Sequence, residues 1–257
     1  MPLKQPLAGK VGLVVGVANT HSIATGCARA FRAAGADLAL TYLNDRARPY
    51  VEPVAHAVEA ALLMPLDVEH EGQLEAAMDR IAAGWGRLDF LLHAIAFCPS
   101  DDLHGRVVDC SKAGFTRAMD ISVHSLIRMT RLAEPLMRDG GSILTVSYYG
   151  AEKVVPHYNV MGPVKAALEA TVRSLAAELG PGGIRVNALS PGPIATRAAS
   201  GIACFEDMLA SAMEKAPEHR LVTIDEVGAV AAMLVGDAAR GVTGNVTFVD
   251  GGLSVVA

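Results

Sequence analysis

Cysteine is scarce in this chain of 257 residues. The four present, Cys27, Cys98, Cys110 and Cys204, are far apart and make no CxxC pair. That excludes a metal–thiolate cluster and a dense disulfide framework, and it favours a reducing compartment. Long apolar runs are also missing. The first, residues 11–18, is eight residues long and already holds two glycines, far below the ~18–20 residues of a membrane span. No small-residue cleavage site follows it, so a cytoplasmic location with no membrane partner is expected. There is no basic excess either. Lys plus Arg is 22 and Asp plus Glu is 27, a net charge of −5, with no long basic run, so no nucleic-acid partner is expected. The eight histidines are scattered without HExxH or another ligand spacing, so no metal site is expected.

Apolar residues are abundant, at 51% against 19% charged. Such a chain buries a large core and is not disordered. Short apolar runs alternate with helical stretches. Residues 11–17 (VGLVVGV), 36–42, 61–66, 88–95, 142–147 (SILTVS), 185–189 and 245–249 read as strands. Residues 22–34, 71–85, 112–137, 158–179 and 225–235 read as helices. Strands joined through helices make a parallel sheet with helices on both faces. The expected fold class is therefore α/β: a single Rossmann-type, doubly wound domain over residues 1–257, with a mostly seven-stranded parallel sheet. A ligand in such a sheet lies beyond the carboxyl ends of the strands, where the strand order reverses. The one irregular region, about residues 190–217, opens SPGPIATRAASG. Its prolines and glycine block regular structure. It is expected to form a small helical lid.

Three places carry chemistry. The first strand ends in Gly16, and Ser22, Ile23 and Gly26 follow in GVANTHSIATG. Glycine lets a backbone turn sharply against a pyrophosphate, and the next helix offers free N–H groups. Ser22 stands where a hydroxyl can bind phosphate and cap that helix. A plain strand–helix turn has the same ingredients, and the usual G-x-G-x-x-G spacing is absent. Asp67-Val68 follows the third strand. A carboxylate there can accept from an adenine amino group, or serve as a helix N-cap. Tyr158 and Lys165 are seven apart on an expected helix. At ~100° per residue they share one face, ~10 Å apart along the axis. An ammonium nearby is expected to lower the tyrosine pKa, which makes a usable acid. Met129, Met137 and Met161 read as core filler.

Five segments carry a family resemblance: residues 16–26, HAIAF at 93–97, SYYGAEKVVPHYNVMGPVK at 147–165, RVNALSPGPIATRAASGI at 185–202 and VTGNVTFVDGG at 242–252. The chain resembles the short-chain dehydrogenases/reductases, and more specifically the bacterial enoyl-acyl carrier protein reductases. The lengthened glycine loop and a second tyrosine, Tyr148, ten residues before Tyr158 point to the latter. The resemblance implies that Tyr158, Tyr148 and Lys165 form the catalytic set. Tyr158 would hydrogen-bond the thioester oxygen, Lys165 would hold the nicotinamide ribose, and Tyr148 would line the acyl pocket. Gly16, Ser22 and Ile23 would hold the pyrophosphate, and Asp67 and Val68 the adenine. Ile95 would pack near the adenosine ribose, and Ile194 and Thr196 near the nicotinamide and its phosphate. Cys98 would stand at a substrate position. The cofactor implied is NADH. NADPH is less favoured, because Arg46 and Arg48 after the second strand also suit a solvated helix start. A homotetramer is implied too. The long helices carry apolar residues on more than one face (Ile121, Leu126, Ile127; Leu168, Val172, Leu175), which leaves a surplus stripe for a partner.

The chain departs from the family pattern in places. Alanines stand at 94 and 96, and Leu43 replaces a polar residue at the adenosine position. In residues 203–207, two acids stand where relatives carry basic residues that attract an acidic carrier. Like charges slow association. An enoyl thioester is thus the firmer expectation for the substrate, and acyl carrier protein as its carrier the weaker one. Two other functions use the same residues: a short-chain carbonyl reductase or alcohol dehydrogenase with the same Tyr/Lys pair, and a non-catalytic dinucleotide-binding protein.

Overall fold

The computed structural model describes residues 5–197 and 199–256. Residues 1–4, 198 and 257, inside the expected domain and its lid, lie outside the described residues. Seven strands, β1 (Val11–Val15), β2 (Asp37–Tyr42), β3 (Leu62–Pro65), β4 (Phe90–His93), β5 (Gly141–Val146), β6 (Ile184–Pro191) and β7 (Val246–Val249), form one sheet. Its order is β3-β2-β1-β4-β5-β6-β7, and every adjacent pair is parallel. All seven expected strands are present. The order reverses between β1 and β4, so a crevice opens beyond the carboxyl ends of those two strands. β1 reads VGLVV because both its faces are covered and all five residues are buried.

Helices α1 (Ile23–Ala33), α2 (Arg48–Ala57), α3 (Gln73–Trp85), α4 (Ser100–His104), α5 (Lys112–Met119), α6 (Ser125–Ala133), α7 (Met161–Leu179), α8 (Phe205–Lys215), α9 (Ile224–Val235) and α10 (Leu253–Val256) complete the described chain. One core lies between the sheet and α3, α6 and α7, and includes Leu91, Leu126, Ile143, Leu168 and Val186. The other lies under α1, α2 and α9, and includes Phe31, Leu40, Phe90, Leu144 and Val227. The helix expected over 112–137 is not continuous. A π-helical turn, Asp120–His124, separates α5 from α6. Ser122 in that turn accepts from Phe97 N (3.0 Å), and Ser125 just after it donates to Ile121 O (2.6 Å). The stretch ends in a 3-10 turn at Pro135. Of the six residues named as a surplus apolar stripe, only Ile127 is exposed, and the others fill the chain's own core. Among the described residues no helix is long and apolar enough to cross a membrane, and no group of His, Cys, Asp or Glu could hold a metal ion.

Candidate active site

The carboxyl ends of β4, β5 and β6 floor a cavity of about 210 Å³, mostly apolar, walled by α7 and roofed by residues 199–208. Seven of the residues singled out in the sequence line it: Ile23, Cys98, Tyr148, Tyr158, Lys165, Ile194 and Thr196. The rest lie along neighbouring strand ends. Gly16 follows β1, with φ +105°, and a Cβ there would stand 2.1 Å from Ala94 O. Its glycine requirement is therefore set by the chain's own backbone as much as by a ligand. Ser22 takes the N-cap position of α1, but its side chain makes no cap bond. Its hydroxyl instead bonds Asn19 O (3.1 Å) and Thr25 Oγ1 (2.9 Å), which folds the long loop on itself. Leu43, just past β2, is exposed.

Asp67 and Val68 follow β3. Asp67 caps no helix, because α3 begins at Gln73 with Gly72 as N-cap. Its carboxylate accepts from Glu69 N at 3.0 Å. Val68 is buried, and its carbonyl accepts from the Arg128 guanidinium. Ile95, half-buried, packs on the first core.

Tyr158 is not on a helix. α7 begins at Met161, and Tyr158 sits in the preceding turn between His157 and Asn159, whose φ angles are +64° and +46°. The two left-handed residues make the tight turn, and Asn159 Nδ2 donates to Leu103 O (2.7 Å) to hold it. The phenol is thereby pressed against Tyr148, ring centroids 4.8 Å apart at 61°, an edge-to-face contact. Tyr148 in turn packs on Tyr149 at 4.7 Å, and its hydroxyl reaches Met208 Sδ on α8 (3.5 Å).

The expected drop in the tyrosine pKa is not found. Burial raises both Tyr158 and Tyr148 well above the ordinary phenol range, and the Glu169 carboxylate pushes Tyr158 further the same way. Desolvation governs the shift, and no lowering by Lys165 accompanies it, so Tyr158 is a neutral hydrogen-bond donor. Lys165 is buried and its pKa is lowered to about 8 by desolvation, against an opposing pull from Glu169. It donates to Val146 O at 2.7 Å, which leaves two of its three N–H donors for a ligand. Below it, His93 bridges Thr145 Oγ1 (2.9 Å) and Ser125 Oγ (2.8 Å). Burial first, then the Lys165 charge, holds the ring neutral with a pKa of about 3. Cys98 is no nucleophile, since desolvation raises its pKa to about 11.

Several wall residues carry no signal in the sequence. Phe97, Leu103, Phe205 and Met208 line the cavity, as does Met161, which was expected to be filler. Apolar side chains have no motif. Only their place after strand ends and in the lid could have drawn attention to them.

A doubly wound parallel sheet with a buried Tyr/Lys pair beyond β5 and a glycine turn at the switch point defines a dinucleotide-dependent oxidoreductase of the short-chain type. The family model described as enoyl-(acyl carrier protein) reductase matches residues 16–254. An enoyl-[acyl-carrier-protein] reductase [NADH] of Rhizobium meliloti is 50% identical over 248 residues, 96% of this chain and 91% of that protein. The crystal structure of the Anaplasma phagocytophilum enoyl-(acyl-carrier-protein) reductase in complex with NAD matches with TM-score 0.94 at 47% identity, covering 98% of this chain and 96% of that one. The Bacillus cereus enoyl-acyl carrier protein reductase with NADP+ and an indole naphthyridinone matches with TM-score 0.95 at 45% identity, covering 98% of both chains. The chain belongs to the enoyl-acyl carrier protein reductase family.

Proposed function

We propose that the protein reduces the trans-2 double bond of an enoyl thioester with NADH, yielding the saturated acyl thioester of fatty acid synthesis, with acyl carrier protein as the thioester's carrier. The observation that carries this is the apolar cavity in which a neutral, buried Tyr158 and a charged Lys165 stand together. NADH supplies the hydride that the β-carbon receives. Tyr158 donates a hydrogen bond to the thioester oxygen, and the bond strengthens as negative charge gathers there. A phenol whose proton is held tightly suits that role, because it stabilises the enolate oxygen while a proton from solvent is taken up at the α-carbon to complete the saturated thioester. Lys165 directs its free N–H donors at the cofactor ribose. Gly16, Ser22 and Ile23 flank the pyrophosphate at the start of α1, and Asp67, Val68, Ile95 and Leu43 border the adenosine. Ile194 and Thr196 border the nicotinamide end. Cys98 and Tyr148 border the acyl group. Arg48 is already paired with Glu52 (2.7 Å), which supports NADH over NADPH.

Carbonyl reduction is disfavoured by the same geometry. Tyr148 crowds Tyr158, and the hydroxyl of Ser147 is engaged by Glu169 at 2.5 Å. The whole of residues 1–257 acts as one catalytic domain, with residues 190–217 as the lid over the cavity, in a cytoplasmic homotetramer. Loss of NADH absorbance with crotonyl thioesters of coenzyme A and of acyl carrier protein tests the reaction. Turnover is expected with both, fastest on the carrier protein. Faster turnover of an acetoacetyl thioester than of crotonyl would overturn it. Sedimentation should give four times the 26.8 kDa chain mass, and a monomer would end the tetramer proposal.

A further inference from the structure

The consecutive residues Val146 and Ser147 at the end of β5 clasp two residues of α7. The Val146 carbonyl accepts from Lys165 Nζ at 2.7 Å. The Ser147 hydroxyl donates to Glu169 Oε1 at 2.5 Å. Lys165 and Glu169 are four residues apart, one helical turn, so they share the face turned to the sheet. Both side chains are almost fully buried, at 5% and 4% exposure. A buried carboxylate is costly unless it serves a counter-charge, and the reaction proposed above makes no use of Glu169.

We propose that Glu169 is a positioning residue: its carboxylate, anchored by Ser147, is the counter-charge that keeps the Lys165 ammonium charged and seated on Val146 beneath the cofactor. The inference rests on the assignment of Lys165 to NADH binding. Desolvation works against the ammonium, and Glu169 is the charge that opposes it. The other groups around Lys165 supply no negative charge. His93, from β4, is neutral, and Tyr158 and Tyr148 hold their protons. Burial raises the Glu169 carboxyl above its ordinary range; the Ser147 hydroxyl, Arg173 and Lys165 hold it down against that, and Glu152 adds to the rise. Ser147 lines the cavity as well, so the anchor stands at the site itself. Without the carboxylate, Lys165 would lose its proton at lower pH, and its grip on the cofactor would fail earlier as pH rises.

The test is NADH affinity against pH, read by fluorescence, for wild type, Glu169→Gln, Ser147→Ala and Lys165→Ala. Glutamine keeps the volume and can still accept from Ser147. Glu169→Gln is expected to bind NADH as wild type does at about pH 6.5 and about threefold or more weakly at about pH 8.5, with Ser147→Ala shifted the same way by less. Equal affinity to wild type at both pH values, or the same loss at both, overturns the proposal. The second result would mark a merely structural role. Should Glu169→Gln not fold, Ser147→Ala decides on the same axes, and an alkaline limb unmoved from wild type overturns the proposal. Lys165→Ala separates the two claims. If it leaves NADH affinity unchanged, the assignment of Lys165 has failed. If it weakens binding while neither of the other variants moves the alkaline limb, only the role of Glu169 has.

Discussion

On the face of the sheet covered by α1 and α9, backbones touch. A Cβ at Gly26 of α1 would stand 2.0 Å from Ile224 O, and one at Gly228 of α9 would stand 2.3 Å from Gly26 O. The buried polar groups there are neutral, among them Thr25, Ser142 and Asn187. One guanidinium, Arg185, is fixed by the carbonyls of Leu234 (2.8 Å), Gly236 (3.2 Å) and Val242 (3.3 Å). On the face covered by α3, α6 and α7 the core holds Tyr148 and Tyr158, and His93, Lys165 and Glu169 are buried beside it. One face is fitted for rigidity and carries no reacting group. The other accepts buried titratable groups that weaken a fold, where burial makes each charge act strongly. The difference teaches where a substitution will act: on folding on the first face, on chemistry on the second.

The largest effect should come from breaking the rigid face. Gly26→Ala places a methyl against a backbone carbonyl that cannot withdraw without parting α1 from α9. A loss of about 4 kcal/mol or more is expected, read as a collapsed melting temperature. A variant that melts like wild type would show that the helices separate easily. On the working face the order is reversed. Tyr158→Phe should lower turnover by roughly 10²–10³, the scale of one lost oxyanion donor, with an unchanged melting temperature. Tyr148→Phe should leave turnover closer to wild type and raise the Michaelis constant, because its ring shapes the pocket. Full turnover in Tyr158→Phe with none in Tyr148→Phe would exchange their roles.

His93 sharpens the comparison through acid. In the unfolded chain it takes up a proton near pH 6.5, and in the folded protein only near about 3. The folded state therefore binds fewer protons in that window, and stability falls as pH drops from about 6.5 toward about 3. His93→Gln should be less stable at neutral pH and show a shallower acid decline in denaturant midpoints. An unchanged slope would place the acid sensitivity elsewhere. The smallest effect is expected at the start of α9. Thr223 and Glu226 form a capping box there, and Thr223→Ala should cost about 1 kcal/mol in urea unfolding with turnover intact.

The sheet was legible because parallel strands buried on both faces are written as short Val- and Leu-rich runs. Helix α2 was legible only as a helix start at Arg48, because Pro49 and Pro53 fall inside residues 48–57 and proline reads as a breaker. Pro49 stands in the first turn, where its missing N–H costs nothing. The place of Tyr158 was misread for a related reason: heptad spacing to Lys165 fits a helix face, while His157 and Asn159, residue types that tolerate the left-handed region, break the helix before it begins. The sign of its pKa shift could not be read either, since desolvation depends on what covers the ring. Glu169 sits in a stretch, KAALEATVRS, whose lone acid looks like a solvated position. Only the strand end packed against it turns it inward.

The bond from Asn159 to Leu103 O joins the residue beside the phenol proposed to act on the substrate to the wall proposed to meet the acyl chain. On that proposal, the part that measures the substrate and the part that acts on it are mechanically one. A lineage that reshapes the α4 wall to admit a longer or bulkier chain also re-aims the phenol. Drift in substrate preference is then filtered by turnover at each step, and changes of chain length in such an enzyme should arrive as paired substitutions at the wall and around the 157–159 turn.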